Sequence, residues 1–204
     1  MARVDRRPRK RLSPSQRQSA ILAAARDAFA GAAYDAVSLA AVADAADASE
    51  ALVHRYFATK GELYVAVVQL AVEALLDRQK AADAEIGGDE ADSWQRVANS
   101  IQVYLDFVTE SPEGWAAPLR SPHASFQTAA DVRAEAIGSY VELVRQMLGR
   151  EASGPLDHAL YGYVGFLDAS CQAWAAAGAP SEQRDPMVSM SLGALSGALA
   201  ALDA

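Results

Sequence analysis

The sequence predicts an all-α fold, and three observations carry that expectation. Apolar residues recur at three- and four-residue steps along every long segment. Strand-like alternation is absent. Gly and Pro gather in a few clusters that read as helix ends and loops. Those clusters divide the 204 residues into about nine helices. Roughly half the residues, 51%, are apolar, enough for a globular core. No run of about eighteen apolar residues appears, so no membrane span is expected.

Each element follows from local chemistry. Ser13 caps the first helix with Pro14 at its first position; Ile21, Leu22, Ala25, Ala28 and Phe29 form its apolar stripe, and Gly31 ends it. Ser38 caps a short second helix that turns Leu39, Val42 and Ala43 inward. After Asp47, Ser49 caps a third short helix with Leu52, Val53, Tyr56 and Phe57. Thr59 caps a long fourth helix reaching about Asp83, and the acidic, Gly-containing stretch 85–92 is a loop. A fifth helix covers about Ser93–Thr109 and breaks at Ser111-Pro112-Glu113-Gly114. The stretch Trp115–Ser125 reads as irregular or briefly helical. Three more helices are expected over about Gln127–Leu148, Leu156–Ala177 and Pro186–Leu202.

Charge divides the chain. The net formal charge is −8, which superficially excludes a polyanionic partner. Residues 1–64 nevertheless carry ten Lys/Arg against seven Asp/Glu, or +3, while residues 65–204 carry eight against nineteen, or −11. The excess is sharpest at Arg3, Arg6, Arg7, Arg9, Lys10, Arg11 and Arg17. A basic head on an acidic body is the footprint of a protein that sets one end on nucleic acid, although a solvated tail has the same composition. The basic start lacks the apolar stretch of a signal peptide, and a single Cys171 forbids an internal disulfide; both point to the cytoplasm.

Two short helices joined by a tight turn and flanked by longer ones match a helix-turn-helix, whose second short helix enters the major groove from a small apolar base. Leu39, Val42, Leu52, Val53 and Phe57 supply that base with Ile21, Leu22 and Phe29. At these residues the sequence resembles the TetR family. Ile21-Leu22, Ala24-Ala25, Phe29, Tyr34, Ser38, Val42-Ala43, Ala46, Ser49, Phe57, Lys60 and Leu63 all stand at family marker positions, without a gap, over about residues 16–70.

The resemblance implies a basic disordered arm (1–13), a helix-turn-helix DNA-binding domain (14–64) and a ligand-binding and dimerisation domain (65–204). It makes the third helix the recognition helix. Ser49 caps it, Glu50, Ala51 and His54 face the bases, and His54 stands where tyrosine is usual. Arg55 and Tyr56 lie near the sugar-phosphate strand, and Ser38 and Lys60 meet phosphates. Charge alone adds Arg9, Lys10 and Arg11 as arm contacts to the minor groove or backbone. Three positions depart from the pattern. Asp47 replaces the usual turn glycine, and Asp tolerates the left-handed conformation better than most residues. Ala33 replaces a second glycine, which alters the bend there. Glu50 either accepts from a cytosine amino group or simply favours its helix N-terminus. Tyr34 and Tyr56 serve equally as packing residues or phosphate donors.

For the body, the resemblance implies an effector pocket and a homodimer built on the last two helices. Two apolar faces are candidates for that dimer or, alternatively, for intrachain core: Leu156, Leu160, Tyr163, Val164, Leu167, Cys171 and Trp174; and Met187, Met190, Ala194, Gly197, Ala198 and Ala201. Pocket candidates on inner faces are Tyr104, Phe107, Val108, Trp115, Phe126, Tyr140, Val144, Met147 and Phe166, with Arg120 and His123 at an edge. Such a lining suits an apolar or aromatic ligand.

No cofactor is expected. His54, His123 and His158 have no ligand spacing, and no Gly-rich phosphate loop follows a strand. An all-helical enzyme is therefore the weaker rival. A helix-turn-helix protein that binds DNA without a ligand is the other.

Overall fold

The structure is a computed structural model that describes residues 12–110 and 124–204. It contains eight α-helices and no strand among the described residues: α1 (Pro14–Gly31), α2 (Leu39–Ala45), α3 (Glu50–Tyr56), α4 (Lys60–Glu85), α5 (Ser93–Glu110), α6 (Ala124–Met147), α7 (Gly154–Ala176) and α8 (Arg184–Ala200). The expected caps are in place. Ser13 and Gln16 form a capping box on α1, and Ser38, Ser49 and Thr59 each accept a backbone N–H at the start of α2, α3 and α4. Helix α6 begins three residues before its expected start. Helix α7 begins at Gly154 because Ser153 caps it and Pro155 fits its first turn.

Two buried clusters organise the molecule. The first gathers Ile21, Ala25 and Phe29 of α1, Val42 and Ala43 of α2, Val53 of α3, and Leu63, Tyr64, Val67 and Val68 of α4. The second spans the remainder of α4 and all of α5 to α8, from Val72 and Leu75 to Leu195 and Leu199. Helix α4 thus belongs to both. Helix α6 packs along it and also reaches the first cluster through Ala129.

The apolar face of α7 is filled by its own chain. Leu156, Leu160, Tyr163, Val164, Leu167, Cys171 and Trp174 are all buried in the second cluster. This corrects their candidacy as a face for a partner. On α8 the buried stripe is Met187, Ser191, Leu195 and Leu199, which leaves Met190 and Gly197 of the expected dimer face outside.

Candidate nucleic-acid interface and effector cavity

The turn between α2 and α3 sets the placement of α3. Asp47 is left-handed, φ 48°, and forms a Schellman arrangement: its own N–H donates to Asp44 O at 3.1 Å and the Ala48 N–H donates to Ala43 O at 2.9 Å. Arg17 of α1 donates to Ala46 O at 3.2 Å and Asp47 O at 3.0 Å, placing a cation on the C-terminal end of α2. Ala33 avoids the left-handed region altogether, with φ −58° and ψ 146°, so the bend there runs through extended backbone and a short 3-10 turn, Tyr34–Ala36.

On α3, Val53 and the following Phe57 are buried, whereas Ser49, Glu50, Ala51, His54 and Arg55 are exposed together on the opposite side. His54 Nδ1 lies 3.2 Å from Ala58 O, an acceptor, so Nδ1 carries the proton. Its Nε2 faces outward with Glu50 Oε1 at 4.0 Å. Ser38 is exposed, its hydroxyl accepting from the Ala41 N–H. Tyr56 donates its hydroxyl to Pro14 O at 3.1 Å, tying α3 to the start of α1. Lys60 is internally engaged: its ammonium donates to Val37 O at 2.7 Å and sits 4.4 Å from the centre of the Tyr34 ring. Tyr34 in turn packs with Phe29 and Tyr64, with ring centres 5.9 and 5.2 Å away. Arg9, Lys10 and Arg11 lie outside the described residues.

The body holds a cavity between α4, α5, α6 and α7. Its walls are mainly apolar, among them Val72, Leu75, Ile137, Val164 and Leu167, and its polar groups are Gln79, Tyr104, Arg133, Tyr140 and Asp168. Asp168 accepts from Arg133, from the Tyr104 hydroxyl at 2.5 Å and from Gln172 Nε2 at 2.7 Å. Burial first, and then the Asp168 charge, holds the Tyr104 hydroxyl well above the usual tyrosine range, so it remains a donor. Tyr140, 2.6 Å from the Ser100 hydroxyl, is pushed up to about 12 by burial. Free space in this state is about 40 Å³, room for a few waters.

Residues 21–67 match the sequence profile of the bacterial regulatory proteins of the tetR family. The HTH-type transcriptional activator FasR of Mycolicibacterium smegmatis is 29% identical over 105 residues, which span 52% of this chain and 46% of FasR, so less than half of that relative's length is matched. Among solved structures, a tetR-family transcriptional regulator from Streptomyces coelicolor superposes with a TM-score of 0.75 at 22% identity, covering 93% of this chain and 81% of that one. The regulator FadR from Bacillus subtilis, crystallised with stearoyl-CoA, gives 0.63 at 14% identity over 89% of this chain and 97% of its own. At these identities the structural likeness concerns the fold. Residues 21–67 thus resemble the tetR-family module, and the described residues share the fold of those regulators.

Within the TetR fold, the pocket residues expected from sequence are dispersed. Tyr104 and Tyr140 line the cavity. Val108, Val144 and Met147 are buried in the second cluster without lining it. Phe107 instead borders a groove between α1, α4 and the end of α5, with the Arg78 guanidinium 5.9 Å from its ring centre. Phe166, expected inward, is 40% exposed because it precedes Leu167 by one residue and so projects a quarter-turn away from the buried face. Trp115, Arg120 and His123 lie outside the described residues, as does the Phe126 side chain. The sequence reading missed Gln79, Arg133 and Asp168. Each leaves a signal, a polar residue on an apolar stripe: Gln79 follows Val72 and Leu75 by seven and four, Arg133 follows Ala129 by four, and Asp168 follows Val164 by four.

Among the described residues no helix is long and apolar enough to cross a membrane, and no three His, Cys, Asp or Glu converge as a metal site.

Proposed function

We propose that the protein represses transcription as a homodimer, binding a palindromic operator through its two α3 helices and leaving it when a small apolar or aromatic molecule occupies the body. The observation that carries this reading is the polarity of α3. Its apolar side is locked into the first cluster while Ser49, Glu50, Ala51, His54 and Arg55 stand together in solvent. A recognition helix needs that arrangement: a rigid base and a polar, sterically open face. Base reading falls to Glu50, Ala51 and His54, and backbone contact to Ser38, Arg55, Tyr56, Lys60 and the arm residues Arg9, Lys10 and Arg11. The domain division is the one the sequence suggests, 1–13, 14–64 and 65–204, and the site of action is the cytoplasm.

The outward faces of α7 and α8 support the homodimer. Tyr161, Phe166 and Met190 are 51%, 40% and 52% exposed. A Cβ at Gly162, Gly165, Gly193 or Gly197 would meet nothing within 4 Å, so no packing among the described residues requires these glycines. Each costs its helix about 1 kcal/mol relative to alanine. Close approach of a second copy of the two helices gives that cost a purpose.

The cavity supports ligand control. A molecule larger than the present free space of about 40 Å³ must part the walls contributed by α4 and α6. Both helices also contact the first cluster, through Val67 and Val68 and through Ala129. Such a ligand favours a state in which the two α3 helices are differently spaced, and that unequal affinity is what coupling requires. FadR of Bacillus subtilis, with its stearoyl-CoA, is an instance of a ligand with a long apolar part in this fold. The name of FasR favours a second reading, activation from the same operator, which the sign of a reporter response distinguishes.

Selection of duplexes from a random pool by the full chain tests the reading. An inverted repeat is expected, with half-sites about one helical turn apart or a multiple of it. His54→Ala is expected to change the selected bases, whereas Lys60→Ala weakens binding to all sequences and lowers the salt slope by about one. A pool with no enriched sequence overturns the DNA reading, and a protein monomeric at micromolar concentration overturns the dimer.

A further inference from the structure

We propose that the body cavity takes a neutral ligand whose polar end is an amide or lactam edge, and that Gln79 reads that edge. This rests on the effector reading above and names the class of molecule. Gln79 is 1% exposed, and neither its Nε2 nor its Oε1 has a hydrogen-bond partner among the described residues. An amide buried with both ends unmet is costly, and a ligand that meets both ends recovers that cost.

The charges that the described residues bring to the cavity disfavour an anionic head. Arg133 is 3% exposed and paired with Asp168, whose two oxygens already accept from three donors: Arg133, Tyr104 and Gln172. Among the described residues the cavity is lined by one cation and one anion, and the two are paired with each other. A carboxylate or phosphate would compete with Asp168 for Arg133 and place a second anion in a largely apolar site. A carboxylate also offers only acceptors, so it meets Nε2 and repels Oε1. An alcohol presents one oxygen and does not span both amide atoms. A primary amide or lactam donates to Oε1 and accepts from Nε2 together. The walls around this edge, Val72, Leu75, Ile137, Val164 and Leu167, favour an apolar remainder.

The test is calorimetric titration of the full chain with hexanamide, hexanoate and 1-hexanol, three probes that share an apolar tail. Hexanamide is expected to bind at least tenfold tighter than hexanoate at pH 8, with 1-hexanol between them. Gln79→Leu is expected to bring hexanamide down to the level of 1-hexanol and to raise the melting temperature of the unliganded protein, since it removes the orphaned amide. Gln79→Met, which keeps an unbranched side chain, is the second variant if leucine disturbs folding. The proposal is overturned if hexanoate binds as tightly as hexanamide, if no hexanamide binding is measurable, or if hexanamide binds both variants like wild type. Operator release is read separately. Hexanamide that binds as expected but leaves the protein on DNA defeats the effector reading and keeps the ligand class. Hexanoate that binds best and releases DNA does the reverse.

Discussion

The helix-turn-helix cluster and the body cluster use polar residues in opposite ways. From Ile21 to Val68 the buried side chains are apolar apart from the Tyr64 phenol, and the polar ones of α3 face solvent. In the body, Gln79, Asp83, Arg96, Ser100, Arg133 and Ser191 are all buried. A surface that meets a polyanion works by presenting donors on a stiff base, so its core has no use for polarity. A cavity that discriminates between small molecules needs polar groups held where water does not compete for them, although their burial costs stability. Helix α4 joins the two regimes along one rod: Leu63 to Val68 serve the first, and Val72 to Asp83 the second.

The largest expected effect tests whether the polar groups of the body bear on its stability. Arg96 donates to both oxygens of Asp83, at 2.7 and 2.6 Å, and to Asp89 at 3.0 Å, clamping α4 to α5. The Asp83 hydrogen bond is the main cause that raises the Arg96 pKa. Arg96→Ala strands a carboxylate whose side chain is 12% exposed. A loss of about 3–5 kcal/mol is expected in urea unfolding. Arg96→Met combined with Asp83→Leu should recover most of it, because removing both partners leaves no unpaired charge. If the single variant loses under about 1 kcal/mol, the buried pair is not a clamp.

A smaller effect tests the other side of the comparison. Ile21 is fully buried in the first cluster, and Ile21→Ala is expected to cost about 2–4 kcal/mol by loss of transfer energy and a residual cavity. Hydrogen exchange should quicken in α1 to α3 and change little in α7 and α8. Equal quickening throughout would mean that α4 fuses the two clusters into one cooperative unit.

What could be read in the sequence follows the same division. The starts of α1 to α4 were legible because each cap is a local bond: Ser13 with Gln16, Ser38 with Ala41, Ser49 with Leu52, Thr59 with Glu62. The left-handed Asp47 was legible for the same reason. The polar set of the cavity was not, since Arg133 meets Asp168 across 35 positions and Tyr104 meets it across 64, pairings that only the packing of α5, α6 and α7 decides. Helix α7 was hard to orient because it is apolar nearly all round. Its periodicity marks Leu156 to Trp174 as a face without saying whether the chain itself or a second copy covers it.

Cys171 gives the smallest effect and separates the body's interior from its surface chemistry. It is fully buried on α7, and burial first, then the nearby Asp168 charge, pushes its thiol up to about 12 from an ordinary 9.0. At pH 8 about one thiol in ten thousand is ionised, so a thiol reagent should leave the native protein unlabelled while modifying it promptly in urea. The same shift has a sign for stability. Between about pH 9 and pH 12 the unfolded chain releases this proton and the folded chain retains it. The folded state therefore binds more protons, and stability falls as pH rises through that window, having been fully present below it. Cys171→Ala should flatten the first part of that decline, around pH 9–10, before the tyrosines contribute. Prompt labelling of the native protein at pH 8 would mean that the body opens to solvent around α7. The contrast between an outward polar surface on α3 and a closed polar interior beneath it would then fail at the helix that holds Asp168.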